Sequence, residues 1–123
     1  MHNKLEITFE GDHVRVLSEG DKDFAFSVKL WTDVSELCRQ QDCFNVLGIA
    51  TTNSPLEAVE GYDHARLFRD LGIDHKYRIA WVEKSDAGRD IIEFIETVLS
   101  NRGLPGRLFE SVEEAEDWLL RSD

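Results

Sequence analysis

Three hydroxyl side chains and an amide follow one another where a central strand of this sequence is expected to end. Thr51, Thr52, Asn53 and Ser54 come directly after an uncharged run, and Pro55 stands next. Ser54 suits the N-cap of a following helix, and free backbone N–H groups at a helix N-terminus attract anions. We therefore expect this segment either to cap that helix or to hold an anion, or a phosphoryl group on one of its hydroxyls.

Aromatic side chains and one histidine form a second group of candidates. Phe24, Phe26 and Trp31 surround the start of the first expected helix, and Tyr62 and His64 lie on the second. If these side chains are exposed together, they form a surface for a partner or the mouth of a pocket for an apolar ligand. The alternative is that Trp31 is a core residue and that His64 is an ordinary histidine on a helix surface.

The spacing of the remaining reactive residue types indicates no further chemistry. The four histidines include no i, i+4 pair, and Cys38 and Cys43 have neither a second cysteine pair nor a histidine at finger-like spacing. No phosphate-binding loop, nucleophile elbow or dinucleotide fingerprint occurs. We therefore expect two reduced structural cysteines, no metal, no cofactor and no enzymatic activity.

Length and charge limit the class of protein. The chain has 123 residues and a formal net charge of −11, which suits one domain spanning residues 1–123 and disfavours nucleic-acid binding. No apolar run approaches the roughly 18–20 residues of a membrane span, and the N-terminus has no signal-peptide pattern. We expect a cytoplasmic protein.

Hydrophobic periodicity predicts the elements that position these candidates. Period-two alternation or short uncharged runs predict strands at Leu5–Phe9, Val14–Leu17, Asn45–Ala50, Tyr77–Glu83 and Arg107–Glu110, with Ser18–Asp23 as a polar loop. Period-3.6 patterns predict four helices, from about Ala25 to Gln41, after Ser54 to Gly72, after Ser85 or Asp86 to Asn101, and from Ser111 to Leu119. Strands alternating with helices after an opening hairpin predict an α/β fold with a single mixed, mostly parallel sheet of about five strands.

This order of elements resembles the STAS domain and, more narrowly, the SpoIIAA-like superfamily. The resemblance covers about residues 5–120 and is carried by the stretches 76–82 and 107–119, the second being a short strand followed by an acidic helix that ends in Trp-Leu. In the anti-sigma-factor antagonists of this fold, an Asp-Ser or Asp-Thr segment after the central strand carries a phosphorylated hydroxyl. The matching segment here supplies hydroxyls without a preceding Asp. The resemblance in shape to lipid-carrier domains implies binding of a hydrophobic ligand.

Two functions are therefore expected, one ahead of the other. The first is a non-enzymatic, signalling-type interaction module of the bacterial cytosol that recognises a protein partner, with residues 51–54 and the following helix as its working surface. The second is a domain that binds a small apolar ligand or lipid near Phe24, Phe26 and Trp31. Homodimer formation is compatible with either function.

Overall fold

The computed structural model describes residues 3–121 of the chain. Two strands open the fold, and three helix-to-strand repeats and a last helix follow. The strands are β1 (Asn3–Phe9), β2 (Val14–Asp21), β3 (Asn45–Ser54), β4 (Arg78–Glu83) and β5 (Arg107–Phe109). The helices are α1 (Phe24–Gln41), α2 (Ala58–Leu71), α3 (Asp86–Asn101) and α4 (Val112–Leu119).

The five strands form one mixed sheet in the order β1-β2-β3-β4-β5. β1 pairs with β2 in antiparallel fashion, and every other neighbouring pair is parallel. The predicted fold class is therefore confirmed. Because β3 lies in the middle, both of its edges are paired, which explains why its first six residues carry no charge.

The two faces of the sheet are covered unequally. One core joins the sheet to α1, α2 and α3, and it is the larger of the two. The opposite face carries a smaller core in which Ala115 and Leu119 of α4 pack on Leu47, Ile49 and their neighbours. The site described below lies on the face covered by three helices.

Strand β2 is longer than the sequence pattern indicates. Residues 18–21 were expected to be loop because they are polar, yet they pair with β1 on one side and with β3 on the other. Hydrogen bonding along both edges outweighs the weak strand preference of Glu19, Gly20 and Asp21. This extension places Ser18 inside the fold instead of in a surface loop.

The start of α2 also differs from expectation. Strand β3 continues through Ser54, so Ser54 is a strand residue and does not cap the helix. Glu57 is the N-cap, and it forms a capping box with Glu60. The Glu60 carboxylate accepts a hydrogen bond from the backbone N–H of Glu57. It also accepts one from the backbone N–H of Phe24, with an N to Oε2 distance of 2.9 Å. The link to Phe24 fixes where α2 begins, and local sequence alone does not reveal it.

Candidate functional site

A cavity of about 80 Å³ lies between the sheet and helices α1, α2 and α3. Its volume is several times the roughly 10–15 Å³ that one water needs and about half the ~150 Å³ of an engineered cavity that binds benzene. The cavity is not sealed, because Lys22, Phe26, Ile91 and Ile92 line it and are only half-buried. A small molecule therefore has both space and a route of entry.

Most of the cavity wall is apolar. The sheet contributes Ala50 and Ile79, α1 contributes Trp31, and α3 contributes Ile91 and Ile95. These side chains carry no hydrogen-bonding group apart from the indole N–H of Trp31. The wall thus suits a hydrocarbon or aromatic group, which gains by leaving water.

Trp81 of β4 is the largest side chain on the floor of the cavity. Its indole lies over Gly48 of β3, the residue directly opposite in the strand register, and a Cβ at Gly48 would overlap its ring atoms Cε3 and Cζ3. Glycine is required at position 48 because any side chain would push the indole away from the strand. On its other side the ring packs against Trp31, with centroids 5.4 Å apart.

Polar atoms without hydrogen-bond partners belong to three side chains of the cavity wall. Ser18 Oγ, Lys22 Nζ and Trp81 Nε1 are buried, and none of them has a partner within residues 3–121. Buried polar groups in proteins are nearly always hydrogen-bonded, so each exception calls for an explanation. These three share one cavity, and all three can donate.

The Lys22 ammonium lies in an unusual environment. It sits 4.8 Å from the centroid of the Phe26 ring, which attracts the cation. Burial lowers the pKa of Lys22, and the negative charges of Glu83, Glu19 and Asp21 act in the opposite direction. The side chain thus lies at the edge of an apolar cavity, near three carboxylates but without a hydrogen-bonded counter-ion.

Glu83 is a buried carboxylate at the end of β4, only 2 % exposed. Its Oε1 accepts from the Thr52 hydroxyl at 2.6 Å, and its Oε2 accepts from the Thr52 N–H at 3.0 Å and from the Ser85 N–H and hydroxyl at 3.2 and 3.0 Å. The absence of a side chain at Gly88 leaves space for the Glu83 carboxylate, since a Cβ at that position would come 2.5 Å from Oε1. Both oxygens are thus occupied by donors of the chain itself.

His64 also lines the cavity, and it is buried, so its expected place on a helix surface is wrong. Its Nδ1 lies 2.7 Å from the carbonyl oxygen of Glu60 and its Nε2 lies 3.0 Å from Ser27 Oγ. A carbonyl only accepts, so Nδ1 carries the hydrogen and Nε2 accepts from the Ser27 hydroxyl. Burial lowers the pKa of His64, more than the Glu60 carbonyl raises it, which favours the neutral ring.

The segment 51–54 does not lie at the N-terminus of a helix, where the sequence placed its candidate anion site, and anion binding there stays a prediction. Thr52 is buried and its hydroxyl is donated to Glu83. Thr51, Asn53 and Ser54 are exposed, but α2 begins four residues after Ser54 and its first turn already holds the carboxylates of the capping box. Negative charge at that position repels a second anion. Phosphorylation of Thr51 or Ser54 stays a prediction.

The five aromatic and histidine candidates separate into two groups. Phe26, Trp31 and His64 line the cavity, and Phe24 packs edge-on against the His64 ring at 5.7 Å. Tyr62 instead lies on the outer side of α2, 54 % exposed, where it contacts Phe94. Three of the five residues therefore line a pocket, and the five do not form the single exposed patch that the sequence allowed.

Sequence reasoning missed three residues of this site: Ser18, Lys22 and Trp81. Ser18 carries a readable signal, because it continues the alternation of Val14 and Val16 on one face of β2. Trp81 was interpreted as core only. Lys22 and Glu83 lie near the carboxyl ends of β2 and β4, which β3 separates, and only the tertiary fold turns both side chains inward.

The part of the chain that the structure describes lacks two kinds of feature. Across residues 3–121, no three His, Cys, Asp or Glu side chains converge as metal ligands would. In the same part of the chain, no helix has the length and hydrophobicity needed to cross a bilayer.

Comparison with known proteins gives information about the fold. No protein-family model matches the chain, and no curated protein matches it. Among solved structures, it resembles an uncharacterised protein of the DUF3478 family from Shewanella loihica PV-4, described as having a SpoIIAA-like fold, with a TM-score of 0.54 and 14% identity. The match covers 95% of this chain and 93% of that one. At this identity the likeness concerns the fold alone: the chain has a STAS/SpoIIAA-like fold.

Proposed function

We propose that this protein is a non-enzymatic binding domain that takes up a small, largely apolar molecule in the cavity between its sheet and helices α1–α3. The observation that carries the proposal is the cavity itself, which has an apolar wall, an opening beside half-buried side chains and unsatisfied polar atoms. Ligand sites in proteins commonly combine these features. We place this binding in the cytosol.

The arrangement of titratable groups supports binding more than catalysis. Lys22, His64 and Glu83 all line the cavity, which is the pattern that an enzyme would show. However, Glu83 is held by Thr52 and Ser85, and both ring nitrogens of His64 are engaged. Both groups are thus already hydrogen-bonded within the chain, which supports a binding role.

Ligand titration against a cavity-filling variant tests the proposal. Hexan-1-ol serves as a neutral probe with an apolar chain, and its binding is measured by calorimetry and by the fluorescence of Trp31 and Trp81. Ala50→Ile adds three carbon atoms to the cavity wall, and we expect it to abolish binding. Ala87→Ile makes the same change at an exposed position of α3 and should bind as the native chain does.

Two results would refute this function. One is the absence of hexan-1-ol binding to the native chain together with the absence of any apolar molecule in native mass spectra of the purified protein. The other is equal binding by the native chain and by folded Ala50→Ile, because the probe would then sit elsewhere. A melting temperature for each variant establishes that it is folded.

A protein-recognition role is the second candidate function, and the exposure of apolar side chains on α2 favours it. Val59 is 64 % exposed and Tyr62 is 54 % exposed, and the exposed residues Thr51 and Ser54 precede them in the chain. If the partner binds this surface, we expect Tyr62→Glu to abolish its capture in a pull-down. A partner retained by Tyr62→Glu and also by Thr51→Glu and Ser54→Glu would exclude this surface.

A further inference from the structure

We infer that the ligand of the cavity is a monocarboxylate, an apolar chain or ring ending in one carboxylate group that Ser18, Lys22 and Trp81 bind. This inference rests on the proposed function and adds the chemical class of the ligand. Four buried polar side-chain atoms lack partners within the described residues, and the inference starts from the three whose side chains line the cavity; the fourth is Arg15 Nε on β2.

The chemistry of the three atoms specifies an acceptor. The ammonium of Lys22 and the indole N–H of Trp81 can only donate, and the hydroxyl of Ser18 can do so. A ligand that offered a donor, such as an amine, would satisfy neither Lys22 nor Trp81. The complementary group therefore carries oxygen lone pairs.

The charge of Lys22 selects a carboxylate among the possible acceptors. A buried ammonium is costly unless an opposite charge is hydrogen-bonded to it. Two carboxylate oxygens offer about four acceptor positions, enough for three donors, whereas a neutral carbonyl offers two on a single atom. An anionic head group thus satisfies all three donors and neutralises the cation in one step.

Glu83 does not already supply this counter-ion. Its negative charge raises the pKa of Lys22, yet both of its oxygens are hydrogen-bonded to Thr52 and Ser85, and Lys22 Nζ has no acceptor among residues 3–121. The fold thus satisfies its own carboxylate and leaves the lysine unsatisfied. The result is a lysine side chain that an incoming anion can bind.

The strand register places two of the donors on the same face of the sheet. Ser18 on β2 lies opposite Ala50 of β3, and Trp81 on β4 lies opposite Gly48 of β3, two residues earlier. Both side chains point toward the helices, separated by one strand, or about 10 Å between backbones and less between the ends of their side chains. The small side chain of Ala50 leaves space between them, whereas the Trp81 ring itself fills the space over Gly48. A head group located over β3 is therefore within reach of both.

Matched ligands test the inference directly. Hexanoate, its methyl ester and hexan-1-ol share the same chain and differ in the head group. We expect hexanoate to bind to the native protein about tenfold or more tightly than either neutral ligand. Lys22→Met should remove this preference by weakening the binding of hexanoate far more than that of hexan-1-ol, and Trp81→Phe should reduce it.

Lys84→Met is the control, because Lys84 follows β4 and is exposed to solvent. It should bind all three ligands as the native chain does, which separates a local contact from a general effect of charge. Equal binding of hexanoate and its methyl ester, or an unchanged preference in folded Lys22→Met, overturns the inference and leaves the cavity function standing. Binding of none of the three ligands refutes the cavity function itself.

Discussion

The indole of Trp81 occupies the space that a side chain at Gly48 would need. A Cβ placed on Gly48 would lie 2.7 Å from Cδ2 of Trp81 and would overlap two further ring atoms. The two residues face each other across neighbouring parallel strands, so the Trp81 ring, and not a side chain of β3, covers this part of the cavity floor. The position of the ring, and with it the width of the cavity, depends on this missing side chain.

Gly48→Ala is expected to destabilise the protein by about 1–3 kcal/mol, because inserting a methyl group into a packed interior forces neighbours to shift. Urea unfolding measures the loss. Trp81→Leu removes the ring that the new methyl group meets, so the double variant should lose much less stability than the two single changes added together. Additive losses would show that the ring is not the source of the clash.

Thr52→Val removes one hydrogen bond to a buried carboxylate and changes little else. The hydroxyl donates to Glu83 Oε1 at 2.6 Å, and bonds to charged groups contribute about 1.5–3 kcal/mol. We expect a loss of that size in the free energy of unfolding. Thr51→Val, at the exposed neighbouring position, is the control and should change it little. Equal effects of the two substitutions would mean that the Glu83 bond contributes nothing measurable.

His64 makes stability depend on pH. Burial lowers its pKa below the ordinary 6.5, so below that value the unfolded chain takes up a proton more readily than the folded chain. The stabilising contribution of His64 to the free energy of unfolding is therefore fully present above pH 6.5. It is lost as the pH falls toward the lowered pKa of the folded state. His64→Gln should flatten the fall in unfolding free energy over that interval. A native-like slope in the variant would assign the fall to other groups.

The two cysteines should differ in reactivity. Cys38 is fully buried, and burial raises its pKa to about 12, while Cys43 is half-buried. Only thiolates react readily with disulfide reagents or alkylating agents. At neutral pH, mass spectrometry should find modification at Cys43 in the native protein and at both residues in denaturant. Modification of Cys38 at the same rate as Cys43 would contradict its burial in the core.

The sequence predicts the elements better than the site. Ser85 and Ser111 cap their helices and Gly72 ends α2 as expected, because these signals act within a few residues. The end of β3 and the start of α2 were misplaced, since they depend on pairing with β2 and on the bond between Glu60 and Phe24.

The adjacent residues Leu30 and Trp31 show why the site itself was harder to predict. Neighbours on a helix point about 100° apart, so the two side chains cannot both lie at the centre of one helix face. Both are nevertheless buried, because the sheet covers α1 on one side and α2 covers it on another. On the side of α2, the ring centroids of Trp31 and Phe68 lie 4.8 Å apart. A cavity between three helices and a sheet is a property of their packing, and no local pattern encodes it.

Methyl NMR during a titration with hexanoate is the most direct test of the central claim. If the molecule enters between the sheet and α1–α3, the methyl resonances of Ile79, Ile91 and Ile95 will shift, while those of Leu47 and Leu119 beneath α4 stay in place. Shifts concentrated beneath α4, or no shifts at a saturating concentration, would contradict the account.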